Sequence, residues 1–173
     1  MYKMNLKKLR LRSTKINSKM YKKYIHCIED LLENEKVNKM DQYPQHYFTT
    51  CLEHCLNVSF YSYIICRYIG LDYVSAARGA LLHDLFLYDW RTTKLKEGKH
   101  AFRHPDIALE NAMKIFDLNE IEKDSIKKHM WPLTIKPPKY YESLIVCFMD
   151  KYCATVEIVR GVFTNIKYRM KLQ

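Results

Sequence analysis

Ala80-Leu81-Leu82-His83-Asp84-Leu85 places a histidine and an aspartate directly after a run of small and apolar residues. Neither side chain is at ease beside apolar neighbours unless something compensates it. A bound cation does so, because His83 offers a ring nitrogen and Asp84 carboxylate oxygens, both ligands for first-row metals. Read alone, the dipeptide also fits two polar residues at a half-exposed helix end. The other histidines decide between these readings once their elements are placed.

Upstream, Asp72 or Ser75 opens the helix that carries Val74, Ala77, Ala80, Leu81 and His83. Its small residues Ala76, Ala77, Gly79 and Ala80 let another helix approach closely. Before it, Thr49 or Thr50 caps a helix, with Glu53 three residues after Thr50 as capping-box partner. That helix stops at Gly70, a common residue just past a helix end. His54, Val58, Tyr61 and Ile65 share one of its faces. Earlier still, Ile16, Met20, Tyr24, Cys27, Ile28, Leu31 and Leu32 recur at helical spacing between Lys15 and Glu35. Residues 34–45 read as a connection.

Downstream, Asp89 to Lys99 reads as a charged loop. Proline is tolerated in a first helical turn, so Pro105 predicts a helix with His104 at its entrance. Asn119 caps a short helix with Glu122 at its third position, ending near His129. Residues 130–139 contain three prolines and cannot be regular helix throughout. A last long helix runs from about Tyr140 to Tyr168, which Gly161 bends or splits. Asp150 stands within its apolar run.

Composition agrees with an all-α helical bundle. The chain has 173 residues and 48% hydrophobic content, enough for a real core. Only 4 glycines and 5 prolines argue against a turn-rich β fold. The net charge of +10 is concentrated at one end: residues 1–23 carry nine lysines and arginines and no acid, and the remainder is nearly balanced. The body is therefore no basic nucleic-acid module. We expect a basic arm at 1–14 and a single domain over 15–173, the arm open to a polyanion or an anionic surface. The 6 cysteines fall mostly on apolar helical stretches and read as reduced thiols. With no secretory signal and no run near the roughly 20 apolar residues of a membrane span, the expectation is a cytoplasmic protein. Cys51 and Cys55 flank His54 but have no second pair for a structural zinc site.

The spacing now yields a constellation. His54, His83, Asp84, His104, His129 and Asp150 come from five separate elements, each at a helix end or on an apolar face. A metal cluster accounts for all six together. His46, two turns before His54, can face the same pocket or cap a helix. His100 falls outside the ligand set and has at most a substrate contact. His26 has only surface readings.

This order resembles the HD superfamily of metal-dependent phosphohydrolases, whose pattern is a His, then His-Asp, then a distant Asp on an all-helical fold. His54, His83-Asp84 and Asp150 match it in turn. A subgroup with two metals adds two histidines before the last Asp, where His104 and His129 stand. The arrangement looks closest to small HD hydrolases of diadenosine polyphosphates. Leu87 stands where a lysine is often found, and Phe86 where some nucleotidases carry an acid.

The resemblance implies a metal-dependent hydrolase that cleaves a phosphate ester or anhydride of a nucleotide-like substrate with a metal-bound hydroxide. Asp84 would bridge two divalent or trivalent ions, iron or manganese by preference, with cobalt and zinc also compatible with the donors. Lys151, beside Asp150, is the catalytic cation, and Arg91, Lys94 and Arg103 are candidate phosphate contacts. The alternatives are a mononuclear HD nucleotidase and a catalytically silent HD-fold module that senses a ligand.

Overall fold

The computed structural model describes residues 18–170. The basic arm expected at 1–14 lies outside them. The elements in order are α1 (Ser18–Leu32), α2 (Glu35–Lys39), a 3₁₀ turn (Met40–Gln42), β1 (Pro44–His46), β2 (Thr49–Thr50), α3 (Cys51–Ile69), α4 (Tyr73–Leu82), α5 (His100–Met113), α6 (Glu120–Lys128) and α7 (Tyr141–Met170). The fold is all-helical apart from the small antiparallel hairpin of β1 and β2.

The central element is α3. The Thr50 side chain accepts from Glu53 N while the Glu53 side chain accepts from Thr50 N, closing both ends of a capping box. At the far end Gly70 adopts φ 80°, the left-handed cap, and donates to Cys66 O. Between them Cys55, Leu56, Val58, Phe60, Tyr63 and Cys66 are buried. This helix packs chiefly against α4 and α7. On its other side α1 brings Tyr24, Ile28 and Leu31 into the core. The Tyr24 hydroxyl, fully buried, donates to Ser59 Oγ at 3.0 Å, and Ser59 donates in turn to Ala77 O at 2.7 Å. A buried polar chain is thereby satisfied at each step.

The close approach expected of α4 occurs against α6. A Cβ on Gly79 would stand 2.9 Å from Ser125 Cβ and 3.2 Å from Glu122 Cα. Arg78 fastens the same junction, donating to Glu122 at 2.8 Å and to Asp30 of α1 at 2.6 Å.

Three local expectations are corrected. Residues 34–45 are more than a connection: Asn34 caps α2, and the chain then turns into the hairpin, with Tyr47 at φ 49°. Helix α5 begins at His100, so His104 sits a full turn inside it and not at its entrance. Pro105 removes only one amide from a turn already under way. Helix α7 is continuous through Gly161, which is needed for contact: a Cβ there would overlap the Tyr47 ring.

Candidate metal centre

All six residues singled out in the sequence converge in the interior. His54 is in the first turn of α3. His83 and His129 occupy the same structural position, the C-cap residue of α4 and of α6. His104 faces inward from α5 and Asp150 from the first third of α7. His54, His83, Asp84, His104 and His129 are buried, and Asp150 is nearly so.

Each imidazole is aimed through its Nδ1. His83 Nδ1 lies 2.7 Å from Ala80 O, His129 Nδ1 2.8 Å from Ile126 O, and His104 Nδ1 2.9 Å from His100 O. A carbonyl only accepts, so all three Nδ1 atoms carry the proton and donate. His54 Nδ1 lies 2.9 Å from Glu157 Oε2 and donates to that carboxylate. All four rings therefore turn Nε2 inward, the arrangement of metal-ligating histidines whose other nitrogen is anchored.

The inward atoms form two groups about Asp84. His83 Nε2 is 3.4 Å from Asp84 Oδ2 and 3.6 Å from Asp150 Oδ1, and His54 Nε2 is 3.0 Å from the same Asp150 oxygen. On the other side His104 Nε2 and His129 Nε2 lie 3.3 and 3.6 Å from Asp84 Oδ1. Asp84 itself is steadied by Gln45 of the hairpin, whose Nε2 donates to Oδ2 at 2.6 Å.

The donor set asks for positive charge. His83 Nε2 and Asp84 Oδ1 are buried with no hydrogen-bond partner among the described residues. His104 Nε2 and His129 Nε2 approach to 2.8 Å although both rings have spent their Nδ1 protons elsewhere. Two lone pairs at that separation need a proton or a cation between them. The residues present thus fit metal ions.

Electrostatics agree. Burial opposes charge on Asp84, yet His83 and then His104 and His129 hold its carboxyl well below the usual range. Asp150 is depressed in the same way, by His54 and His83 against burial. Burial also works against the imidazoliums of His54 and His83, but the carboxylates facing them, Asp150 and Glu157 for His54 and Asp84 foremost for His83, raise both pKa values. His129 is pushed down to about 3, by burial first and then by His83 and His104.

The centre opens onto a cleft of about 630 Å³. Asp84, His104, His129 and Asp150 lie at its base, with Trp90, Met130, Pro132 and Leu133 among its walls. Lys151 also lines it, its ammonium donating to His129 O at 2.7 Å and Cys147 O at 3.2 Å. His100 and His46 are lining residues as well. His100 stacks on His104, ring centroids 4.5 Å apart, and on Trp90 at 5.5 Å. Arg91, Lys94 and Arg103 do not line this cleft. Arg91 is held by Asp89 at 3.1 Å and Arg103 lies 3.5 Å from Asp106.

Sequence reading missed Glu157 and Gln45. The signal for Glu157 was an acid two turns after Asp150 on one helix, hence on the same face. Nothing local marked Gln45, which reaches Asp84 only because the hairpin folds back over the centre.

The HD domain family model matches residues 51–155, more than half of the chain and a range that contains all six residues. The chain belongs to the HD domain family of metal-dependent phosphohydrolases. No curated protein and no solved structure matches it. Among the described residues no helix is long and apolar enough to cross a membrane.

Proposed function

We propose that the chain is a dinuclear HD phosphohydrolase that cleaves an ester or anhydride bond in a nucleotide-like phosphate. The observation that carries it is the division of Asp84: Oδ1 faces His104 and His129, and Oδ2 faces His83. One carboxylate spanning two imidazole groups suits two cations better than one. His54, His83 and Asp150 would hold one ion, His104 and His129 the other, and Asp84 would belong to both. Iron or manganese matches this nitrogen and oxygen donor set, and cobalt or zinc also fits it. Bound ions supply Lewis-acid polarisation of the phosphoryl oxygens and activation of a water.

The chain's own residues do the rest. The anchored Nδ1 atoms keep four Nε2 atoms converging, so little reorganisation is needed when cations enter. Gln45 holds the Asp84 carboxylate in the orientation that divides its oxygens. Lys151, held on the cleft wall by two carbonyls, offers a fixed positive charge to a phosphate oxygen. Trp90, Met130, Pro132 and Leu133 give the cleft an apolar side suited to a base or another flat group. Arg91, Lys94 and Arg103 remain candidates for more distant phosphate oxygens. In this reading residues 15–173 act as one unit and 1–14 as an accessory arm, open to a polyanion, whose removal leaves turnover of a small substrate unchanged.

The test is metal content and turnover in one series. The intact protein should carry two ions per chain by elemental analysis and hydrolyse bis(p-nitrophenyl) phosphate. Asp84→Ala should lose both ions and the activity while its circular dichroism stays helical. One ion per chain would sink the dinuclear reading, and turnover by metal-depleted Asp84→Ala would sink the mechanism.

A further inference from the structure

A second depression, of about 370 Å³, lies between α5, α6 and residues 133–136. It adjoins the metal cleft, and Leu133 lines both. Its composition differs from that of its neighbour. Lys127, Lys128 and Lys136 line it together with Phe102 and Ile135. Arg103 stands beside it, within 3.5 Å of Asp106, a lining carboxylate that also pairs with Lys127. A second acid, Asp124, lies 3.9 Å from Lys128, but its Oδ2 already accepts from Lys139 N at 2.8 Å.

Four cations therefore share two carboxylates, one of them engaged by the backbone, with Lys128 also donating to Pro137 O at 3.1 Å. Like charges gathered on one lining repel one another. An anion entering the depression would relieve that repulsion. Two further features belong to this lining. The Thr134 hydroxyl, on the lining, is buried and has no hydrogen-bond partner among the described residues. Ile135 is 95% exposed and Phe102 49%, apolar surface set directly beside the cations.

Cations beside exposed apolar side chains suit a phosphate joined to a sugar or base. We propose that this depression is a subsite for a second phosphate, so that the substrate carries at least two phosphate groups separated by a nucleoside-sized unit. The scissile phosphate sits over the metal centre, the intervening unit crosses Leu133, and the remote phosphate is held by Lys127, Lys128 and Lys136. The substrate assignment rests on the phosphohydrolase reading of the metal centre, whereas anion binding by the depression does not.

Two chromogenic substrates separate the possibilities: the p-nitrophenyl ester of thymidine 5′-phosphate, and the same ester carrying an additional 3′-phosphate. With the metal-loaded full chain, the bisphosphate should have a KM at least tenfold lower. Lys136→Ala, a surface change, and Lys127→Ala should each erase most of that advantage while leaving kcat and metal content unaltered. Equal KM values in the intact protein, or variants that shift both substrates alike, would overturn the subsite. Equilibrium dialysis of thymidine 3′,5′-bisphosphate against thymidine 5′-phosphate provides a readout independent of turnover. If neither ester is hydrolysed, the phosphohydrolase reading fails on its own and dialysis decides the anion site, equal binding of the two nucleotides overturning it. Tighter binding of the bisphosphate that depends on Lys136 but leaves KM unchanged would mark a site for a free anion and overturn the substrate assignment.

Discussion

Replacing Glu157 by glutamine changes one charge and almost no volume. The carboxylate accepts from His54 Nδ1 at 2.9 Å and from Asn57 Nδ2 at 3.0 Å, and both it and His54 are buried. Its negative charge, with that of Asp150, keeps the His54 ring basic against the cost of burial. A buried hydrogen bond to a charged partner contributes about 1.5–3 kcal/mol, against about 0.5–1.5 for a neutral one. The substitution should therefore cost about 1–1.5 kcal/mol of ligand basicity and orientation at His54, near tenfold in metal affinity. Loss of such an outer partner typically costs about 10–100-fold. The assay is competition against a chromophoric chelator, with thermal unfolding of the metal-free protein as control. Glu157→Gln should bind metal roughly tenfold more weakly, and Asn57→Ala should lie between it and the intact protein. Affinity within twofold of the intact protein, in a folded Glu157→Gln, would refute the claim that Glu157 tunes His54.

In the metal-free centre the facing carboxylates raise the His54 and His83 pKa values despite burial, so these imidazoles hold protons more tightly than usual. Metal uptake must release protons held there, so affinity should climb as pH rises through and above the ordinary imidazole range near about 6.5; calorimetry in two buffers of different ionisation enthalpy counts them, and zero release would contradict this. Gly79→Ala should destabilise the fold by up to about 2 kcal/mol, since overpacking costs about 1–3 and the helix gains about 1 from alanine. Glu122 Cα is backbone and cannot yield; a raised midpoint in a urea titration would contradict this close contact. Thr50→Ala removes both the α3 cap and a bond to Asp41, and should cost about 1 kcal/mol, read from the same titration.

Where the determinants were local, the sequence was legible. Thr50, Glu53 and Gly70 bound α3 because capping depends on residues three or four apart, and Asn119 with Glu122 did the same for α6. Gly79 among alanines announced a close helix contact, although not that α6 would supply it. The six residues of the centre were recoverable because buried histidines and acids are rare enough to stand out. What escaped depends on tertiary closure. Strands of three and two residues carry no periodicity, so the hairpin that delivers Gln45 was invisible. Pro105 suggested a helix start because proline favours one, and this hid the turn from His100 to His104 that stacks the two rings.

His83 and His129 are each aimed by a carbonyl three residues earlier in their own helix, so their direction is a matter of helical phase. A helix advances about 100° per residue. Deleting one surface residue from α4 or α6 would leave the hydrophobic content almost unchanged and yet swing an imidazole out of the centre. Substitutions at the exposed positions of those helices should be tolerated, and insertions or deletions hardly at all. The carbonyl ends of both helices also meet at the centre, each with a partial negative charge of about half an electron. The backbone thus prefers a cation there before any side chain is counted, and the length of two short helices becomes part of the metal site.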